Sequence, residues 1–176
     1  MTTHAFASQS STFSSRTSLP TKATHSQPRA HHDTAKKSAL IGKSGSAWQN
    51  RNPAIFLLED SSLSAGLLEA YLAAYGLGAP TWAKSIQEAQ QFVPDIAAGA
   101  FDLLFFDIEL PDGSGLDLIK SVRNSVSAPI CAYTALASTD VVKQLDEAGF
   151  DHVFFKPMKK DDFANGLEQV ISAAPN

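Results

Sequence analysis

From Pro53 onward, short apolar runs alternate with amphipathic stretches, and this alternation limits the chain to few folds. The run AIFLLE at 54–59 precedes leucines and tyrosines at helical spacing, and four further runs are followed by similar stretches. Strands that alternate with helices in this way form a parallel sheet with helices on both faces. Because crossovers between parallel strands are right-handed, we predict an α/β fold with a doubly wound five-stranded parallel sheet and five helices.

The predicted elements follow directly from the apolar spacing and the turn residues. Each strand is a short apolar run that we expect to be buried on both faces. The strands are 54–59, 80–83, 102–106, 129–133 and 152–155. The helices are 61–76, a helix from 85 that Pro94 interrupts before Gly99, 116–124, 139–148, and a last helix opened by Asp161 and Asp162.

Residues 1–52 differ in composition from the rest of the chain. This segment is rich in Ser and Thr, shows no sustained periodicity and carries a net charge of +6, whereas residues 53–176 carry −10. It buries too little apolar area to offset the entropy of ordering its backbone, so we predict a disordered basic arm. The composition also fits an organelle transit peptide. A positive arm would suit an acidic partner, but a solvated tail is the simpler interpretation.

The composition excludes several classes of protein. One cysteine in 176 residues rules out a disulfide framework and a cysteine-ligated zinc site. No apolar run approaches the roughly eighteen residues of a membrane span, and no secretory signal is recognisable, so we expect a cytoplasmic protein. The positive arm could engage nucleic acid or the acidic folded part, but because a solvated tail is the simpler interpretation, nucleic acid is not an expected partner.

Reactive side chains follow the carboxyl ends of four predicted strands. Glu59 and Asp60 follow the first strand, Asp107 the third, Thr134 the fourth and Lys156 the fifth. A charged residue at one strand end is usually part of a solvated turn, but here four strands of five end this way. In a parallel sheet these ends share one edge, where open α/β folds bind ligands. We therefore predict one site with three carboxylates, a hydroxyl and an ammonium group.

Three neighbouring carboxylates favour a bound cation. At about 5 to 7 Å each pair repels by roughly a kcal/mol or more at an effective dielectric constant of 20 to 40. Oxygen ligands select Mg²⁺, or alternatively Mn²⁺, over zinc. With such an ion present, Asp107 would be an oriented nucleophile and Lys156 would face the oxygens of a phosphoryl group. This combination is suited to phosphoryl transfer onto a carboxylate.

Four segments carry a resemblance to a known family. They are FLLED at 56–60, DLLFFDIELPDGSG at 102–115, APICAYTA at 128–135 and FFKP at 154–157. Over about residues 53–174 the chain resembles the CheY-like receiver domain of response regulators. The resemblance implies a receiver domain over 53–176 with a flavodoxin-like sheet of strand order 2-1-3-4-5.

The resemblance also implies a role for each site residue. Asp107 would be the phosphoacceptor, and Thr134 and Lys156 would contact the phosphoryl group. The magnesium ligands would be Glu59, Asp60, Asp107 and the backbone carbonyl of Glu109.

Four further features of the chain are compared with the family pattern. The resemblance implies that the Lys156–Pro157 bond is cis. Pro111 and Gly115 match loop residues of the family, and we expect Gly115 to relieve strain in that turn. Val153 departs from the pattern, because the family usually has Tyr or Phe three residues before the lysine. The signal would then leave the site by another route, or the output would depend less on the last helices. We expect Val153 itself to be a core residue.

The combined sequence evidence predicts a single-domain response regulator, with no output domain after the fifth helix. It would take a phosphoryl group from a histidine kinase or a histidine phosphotransfer protein onto Asp107. It would then bind a downstream protein or pass the group onward. It would not be an enzyme beyond magnesium-dependent self-phosphorylation and autodephosphorylation.

Two alternatives come from other functional classes. A phosphatase of the haloacid-dehalogenase type also uses a strand-terminal aspartate, magnesium and a lysine, but it requires an aspartate where this chain has Glu109. Turnover of a generic phosphate ester would favour that alternative. A docking module that works without phosphorylation would keep its partner after Asp107→Asn.

Overall fold

The computed structural model describes Trp48 and residues 51–174. Strands and helices alternate along this part of the chain, within a few residues of the predicted bounds. The strands are β1 Ile55–Leu58, β2 Thr81–Ala83, β3 Leu103–Phe106, β4 Glu109–Leu110, β5 Gly113–Ser114, β6 Ile130–Thr134 and β7 His152–Phe155. The helices are α1 Ser62–Ala74, α2 Ile86–Gln90, α3 Val93–Ala97, α4 Gly115–Val122, α5 Thr139–Ala148 and α6 Lys160–Ala173, and a 3₁₀ turn covers Arg123–Ser125.

The main sheet has five parallel strands in the order β2-β1-β3-β6-β7. Numbered among themselves, these strands run 2-1-3-4-5, so the predicted topology is confirmed. A second feature was not predicted: β4 and β5 pair as a short antiparallel hairpin between β3 and α4. Each strand has only two residues, which is too short to produce a readable alternation.

The second predicted helical region consists of two short helices, so residues 53–174 contain six α-helices rather than five. Pro94 lies in the first turn of α3, where its missing N–H has no helical partner to lose. The break therefore falls at residues 91–92, just before the helical turn that contains the proline.

Serine side chains define where four helices begin. Ser61, Ser85, Ser114 and Ser138 each accept a hydrogen bond from a backbone N–H in the first turn of α1, α2, α4 and α5. Each bond satisfies one donor that the helix itself leaves unpaired. These caps fix the starting points of helices that follow the site loops.

Two apolar layers enclose the sheet. Alternate residues of β1 face opposite sides: Ile55 and Leu57 pack with α1 and α6, whereas Phe56 and Leu58 pack with α2 to α5. The central strands β1, β3 and β6 are buried on both faces, as predicted. The prediction is wrong for β2 and β7, where Thr81 is exposed and Phe155 is 39% exposed. Both strands lie at a sheet edge and have a neighbour on one side only.

The predicted arm, residues 1–52, lies outside the described residues except for Trp48, Arg51 and Asn52. Trp48 is half-buried and packs against the apolar layer of α1 and α6. Arg51 lies 3.8 Å from the carboxylate of Asp102. Among the described helices, none is long and apolar enough to cross a membrane.

Two helical glycines give a matched test of this packing. A Cβ on Gly166 of α6 would lie 2.4 Å from the Phe154 ring and 2.6 Å from the His152 imidazole, whereas a Cβ on Gly66 of α1 would meet nothing within 4 Å. Both alanine variants gain helix propensity. Changes of opposite sign in the free energy of unfolding would therefore isolate the effect of the close contact at Gly166. We expect Gly166→Ala to lower the free energy of unfolding by about 1–3 kcal/mol and Gly66→Ala to raise it by about 0.5–1 kcal/mol.

Urea unfolding followed by circular dichroism measures both changes. Equal shifts in the two variants would contradict the close packing of α6 on β7.

Candidate functional site

Backbone hydrogen bonds bring the functional strand ends to one edge of the sheet. The Asp107 N–H donates to the Leu58 carbonyl at 2.8 Å, so β3 ends beside β1. The Lys156 N–H donates to the Thr134 carbonyl at 2.8 Å, so β7 ends beside β6. The side chains that follow these strands therefore point into one region, as the sequence predicts.

Three carboxylates form a cluster at this edge. Glu59, Asp60 and Asp107 each offer an oxygen, and these oxygens all lie within 4.8 Å of one another. Glu59 and Asp107 are buried, with 0% and 5% of their surface exposed, while Asp60 is exposed. The cluster is thus open to solvent on the side of Asp60.

The Lys156 ammonium group compensates the two buried carboxylates. Nζ donates to Asp107 Oδ2 at 2.6 Å and also to Glu59 Oε2. It lies 4.5 Å from the centre of the Tyr133 ring, close enough for a cation–π contact. Only 15% of the lysine side chain is exposed, so both ion pairs are shielded from solvent.

Burial affects the pKa of the Glu59 carboxyl more strongly than the Lys156 ammonium does. Desolvation raises the pKa of its carboxyl above the usual 4.5, and the Lys156 ammonium opposes this effect only in part. The cluster thus holds three carboxyl groups and a single ammonium group. The site is therefore ready for a further positive group.

The Asp107 carboxylate is oriented by bonds to both oxygens. Oδ1 accepts the N–H of Glu109 at 3.1 Å, and Oδ2 accepts Lys156. The Glu109 side chain is exposed and is not part of the carboxylate cluster. Its backbone carbonyl therefore remains the predicted contribution of this residue to metal binding.

Thr134 is fully buried at the end of β6. Its hydroxyl oxygen accepts the N–H of Leu136 at 3.1 Å, which ties the side chain to the loop before α5. The structure thus places the threonine at the predicted edge, beside β7. Val153 is half-buried and packs against the layer of α2 to α5, whereas Phe154 is buried in the opposite layer, so Val153 contacts the core as predicted but is not fully buried in it.

Gly115 has a different role from the one expected. Its φ is not among the positive values found for described glycines, so it relieves no left-handed turn. A Cβ at this position would lie 2.1 Å from the backbone oxygen of Asp107. Glycine is needed because α4 begins in contact with the phosphoacceptor candidate. The Lys156–Pro157 bond is cis, as predicted.

Sequence reasoning missed three residues that shape the site. Asp112, in the hairpin, accepts the N–H groups of Ile86 and Gln87 at 3.0 Å, and these two bonds lower its pKa. The other two are Tyr133, beneath Lys156, and Trp82, which donates to the Glu59 carbonyl at 2.6 Å. Aromatic residues within apolar runs look like core, and only their neighbours in space reveal these contacts.

Known proteins resemble this chain over the part that forms the sheet. Residues 55–168 match the family described as the response regulator receiver domain. The autoinducer 2 sensor kinase/phosphatase LuxQ of Vibrio parahaemolyticus is 31% identical over 109 residues, which are 61% of this chain and 12% of that protein. Transcription factor SKN7 of Chaetomium thermophilum is 25% identical over 128 residues, which are 72% of this chain and 16% of that protein.

A solved structure agrees with these matches. The non-phosphorylated HemR receiver domain of Leptospira biflexa is 31% identical, with a TM-score of 0.62 over 70% of this chain and 98% of that chain. The two curated relatives are much longer than the matched segment, which spans less than a fifth of either. Family match, sheet order and structural likeness agree, and the chain belongs to the response regulator receiver domain family of phosphorelay signalling.

Proposed function

We propose that Asp107 accepts a phosphoryl group from a phosphohistidine of a histidine kinase or a histidine phosphotransfer protein. The domain then signals by binding a downstream protein or passes the group onward. The observation that carries this proposal is the position of the Lys156 ammonium, 2.6 Å from the Asp107 carboxylate within the acidic cluster. The proposal assigns the protein to the cytoplasm.

The transfer step follows from the orientation of Asp107. A carboxylate oxygen forms a bond to phosphorus while the P–N bond of the phosphohistidine breaks. The imidazole leaves with the electron pair of that bond and takes up a proton from water. The product is an acyl phosphate on Asp107, and the Glu109 N–H, 3.1 Å from Oδ1, holds the carboxylate in one orientation during the approach.

The donor set fits Mg²⁺, with Mn²⁺ as a substitute. Glu59, Asp60 and Asp107 supply oxygen atoms only, and hard divalent cations prefer such ligands. We propose these three side chains and the Glu109 backbone carbonyl as the ligands. The ion would neutralise charge that develops on the phosphoryl oxygens during transfer.

Lys156 and Thr134 respond to the new group. The phosphoryl group brings about two negative charges and several acceptor oxygens. The ammonium now bonded to Glu59 and Asp107 can contact one oxygen, and the buried hydroxyl of Thr134 can leave Leu136 and donate to another. Conversion of a two-state switch from 1:99 to 99:1 needs roughly 5.5 kcal/mol, so both contacts together with the metal are required.

The geometry disfavours the phosphatase alternative. That class needs an acid/base carboxyl two residues after the nucleophile, but the Glu109 side chain is exposed and separate from the carboxylate cluster. Stoichiometric self-labelling, rather than turnover of a generic phosphate ester, is therefore the expected behaviour.

Phosphorylation by acetyl phosphate tests the assignment of Asp107. We expect wild type with Mg²⁺ to gain one phosphoryl group that hydroxylamine removes, because hydroxylamine cleaves acyl phosphates. Asp107→Asn should lose at least nine tenths of the label, because the amide is a poor nucleophile, whereas the exposed control Asp117→Asn should keep it. Intact-protein mass spectrometry measures the label. Full labelling of Asp107→Asn would contradict the proposal.

Removal of Lys156 should separate phosphorylation from switching. We expect Lys156→Ala to be labelled but to reach the activated state about tenfold less, because one charge-assisted contact contributes roughly 1.5–3 kcal/mol. The exposed control Lys143→Ala should behave as wild type. Backbone amide chemical shifts with and without beryllofluoride measure the change. An unaltered response in Lys156→Ala would refute the role.

The cost of burying Glu59 should appear as pH-dependent stability. Because its pKa is raised, the folded state holds this proton more tightly than the unfolded state, and stability falls as pH rises from about 4.5 through the folded pKa. In the presence of a chelator, Glu59→Gln should raise the free energy of unfolding at pH 7.5 by about 0.5–2 kcal/mol. The gain should shrink as the pH approaches 4.5.

Urea titrations at several pH values measure this effect. The exposed Glu109→Gln is the matched control, with an expected change within about 0.5 kcal/mol at every pH. Added Mg²⁺ should stabilise wild type more than Glu59→Gln, because one ligand is lost. A Glu59→Gln gain that is independent of pH would rule out this account.

A further inference from the structure

We infer that Trp82 is a positioning residue that holds Asp60 in place for the divalent cation. Its indole N–H fixes the peptide group that joins Glu59 to Asp60. This inference rests on the proposed function, because it concerns a residue that serves the proposed metal site without being a ligand.

The turn after β1 is restrained at three points. The Glu59 N–H donates to the Ala83 carbonyl at 3.0 Å. The Glu59 carbonyl accepts the Trp82 Nε1–H at 2.6 Å. The Ser61 N–H donates to Glu59 Oε1 at 3.1 Å. Two of these partners, Ala83 and Trp82, belong to β2, so that strand aligns the main chain on which the acidic pair lies.

The bond to the carbonyl acts directly on Asp60. The carbonyl of Glu59 and the N–H of Asp60 belong to one planar peptide unit. When the indole fixes the direction of the carbonyl, it also fixes the peptide plane, in which the Cα of Asp60 lies. Asp60 is exposed, so close packing does not hold its side chain as it holds Glu59. The direction of the Asp60 carboxylate therefore depends strongly on its backbone.

Trp82 is itself well supported. Its backbone pairs in register with Leu57 of β1, and its half-buried side chain packs against the layer of α1 and α6. The Lys84 ammonium lies 4.7 Å from the centre of the indole ring. Because the ring is held on several sides, its N–H is a fixed donor rather than one that must be ordered when the cation binds.

Metal affinity can distinguish a positioning role from a merely structural one. If the indole only satisfies a half-buried carbonyl, its loss lowers stability and leaves cation affinity unchanged. If it positions Asp60, its loss weakens cation binding, and the weakening requires the Asp60 carboxylate. A double-mutant cycle between Trp82 and Asp60 separates the two cases.

The experiment measures Mn²⁺ binding to the full chain by electron paramagnetic resonance and Mg²⁺ binding by calorimetry. We expect Trp82→Phe to weaken binding about threefold to tenfold, the range expected for one lost hydrogen bond. Trp48→Phe, which alters the same apolar layer away from the acidic pair, should change it less than about twofold. In an Asp60→Asn background, Trp82→Phe should have less than about a twofold effect.

The outcomes separate this inference from the proposed function. Wild-type affinity in Trp82→Phe, or an undiminished effect in the Asp60→Asn background, overturns the positioning role and leaves the proposed metal site intact. Wild type that binds neither ion overturns both. If Trp82→Phe unfolds in urea controls, benzothienylalanine at position 82 in the Trp48→Phe background is used instead. It keeps a fused aromatic ring system but has sulfur in place of the indole N–H, and it is judged by the same criteria.

Discussion

Parallel pairing of the strands is the constraint on which the rest of this structure depends. Because β1, β3, β6 and β7 run in one direction, the residues that follow them meet at one edge although they are far apart in the chain. Glu59 and Lys156 are separated by 97 positions and share a hydrogen bond. The buried apolar strands supply a rigid support, since side chains pack on both faces of the central three. The positions of the site side chains are therefore fixed by rigid strands.

Charged groups that are usually exposed to solvent are buried together at this edge of the sheet. Buried carboxylates are costly unless they are paired, and one ammonium group serves both Glu59 and Asp107. The raised pKa of Glu59 shows that this compensation is incomplete. The cation proposed for this edge would offset the remaining cost of burying the Glu59 carboxylate.

Residues around the site hold its loops in place without taking part in the proposed chemistry. The hairpin after β3 is attached to α2 through Asp112, and α4 begins against the Asp107 backbone because Gly115 has no side chain. Strand β2 contributes the indole of Trp82 to the turn that follows β1. These contacts join the loops of the site to neighbouring helices and strands.

The sequence by itself determined the five strands of the main sheet, the helical regions between them, their order and the residues at the strand ends, because apolar periodicity and turn residues act over a few neighbouring positions. The prediction of Glu59, Asp107 and Lys156 as one site also needed only the rule that parallel strands share an edge. Tertiary structure alone decided that Gly115 is required by close approach and that Trp82 bonds the Glu59 carbonyl. Those facts depend on distances between segments remote in the chain, and local patterns carry no record of such distances.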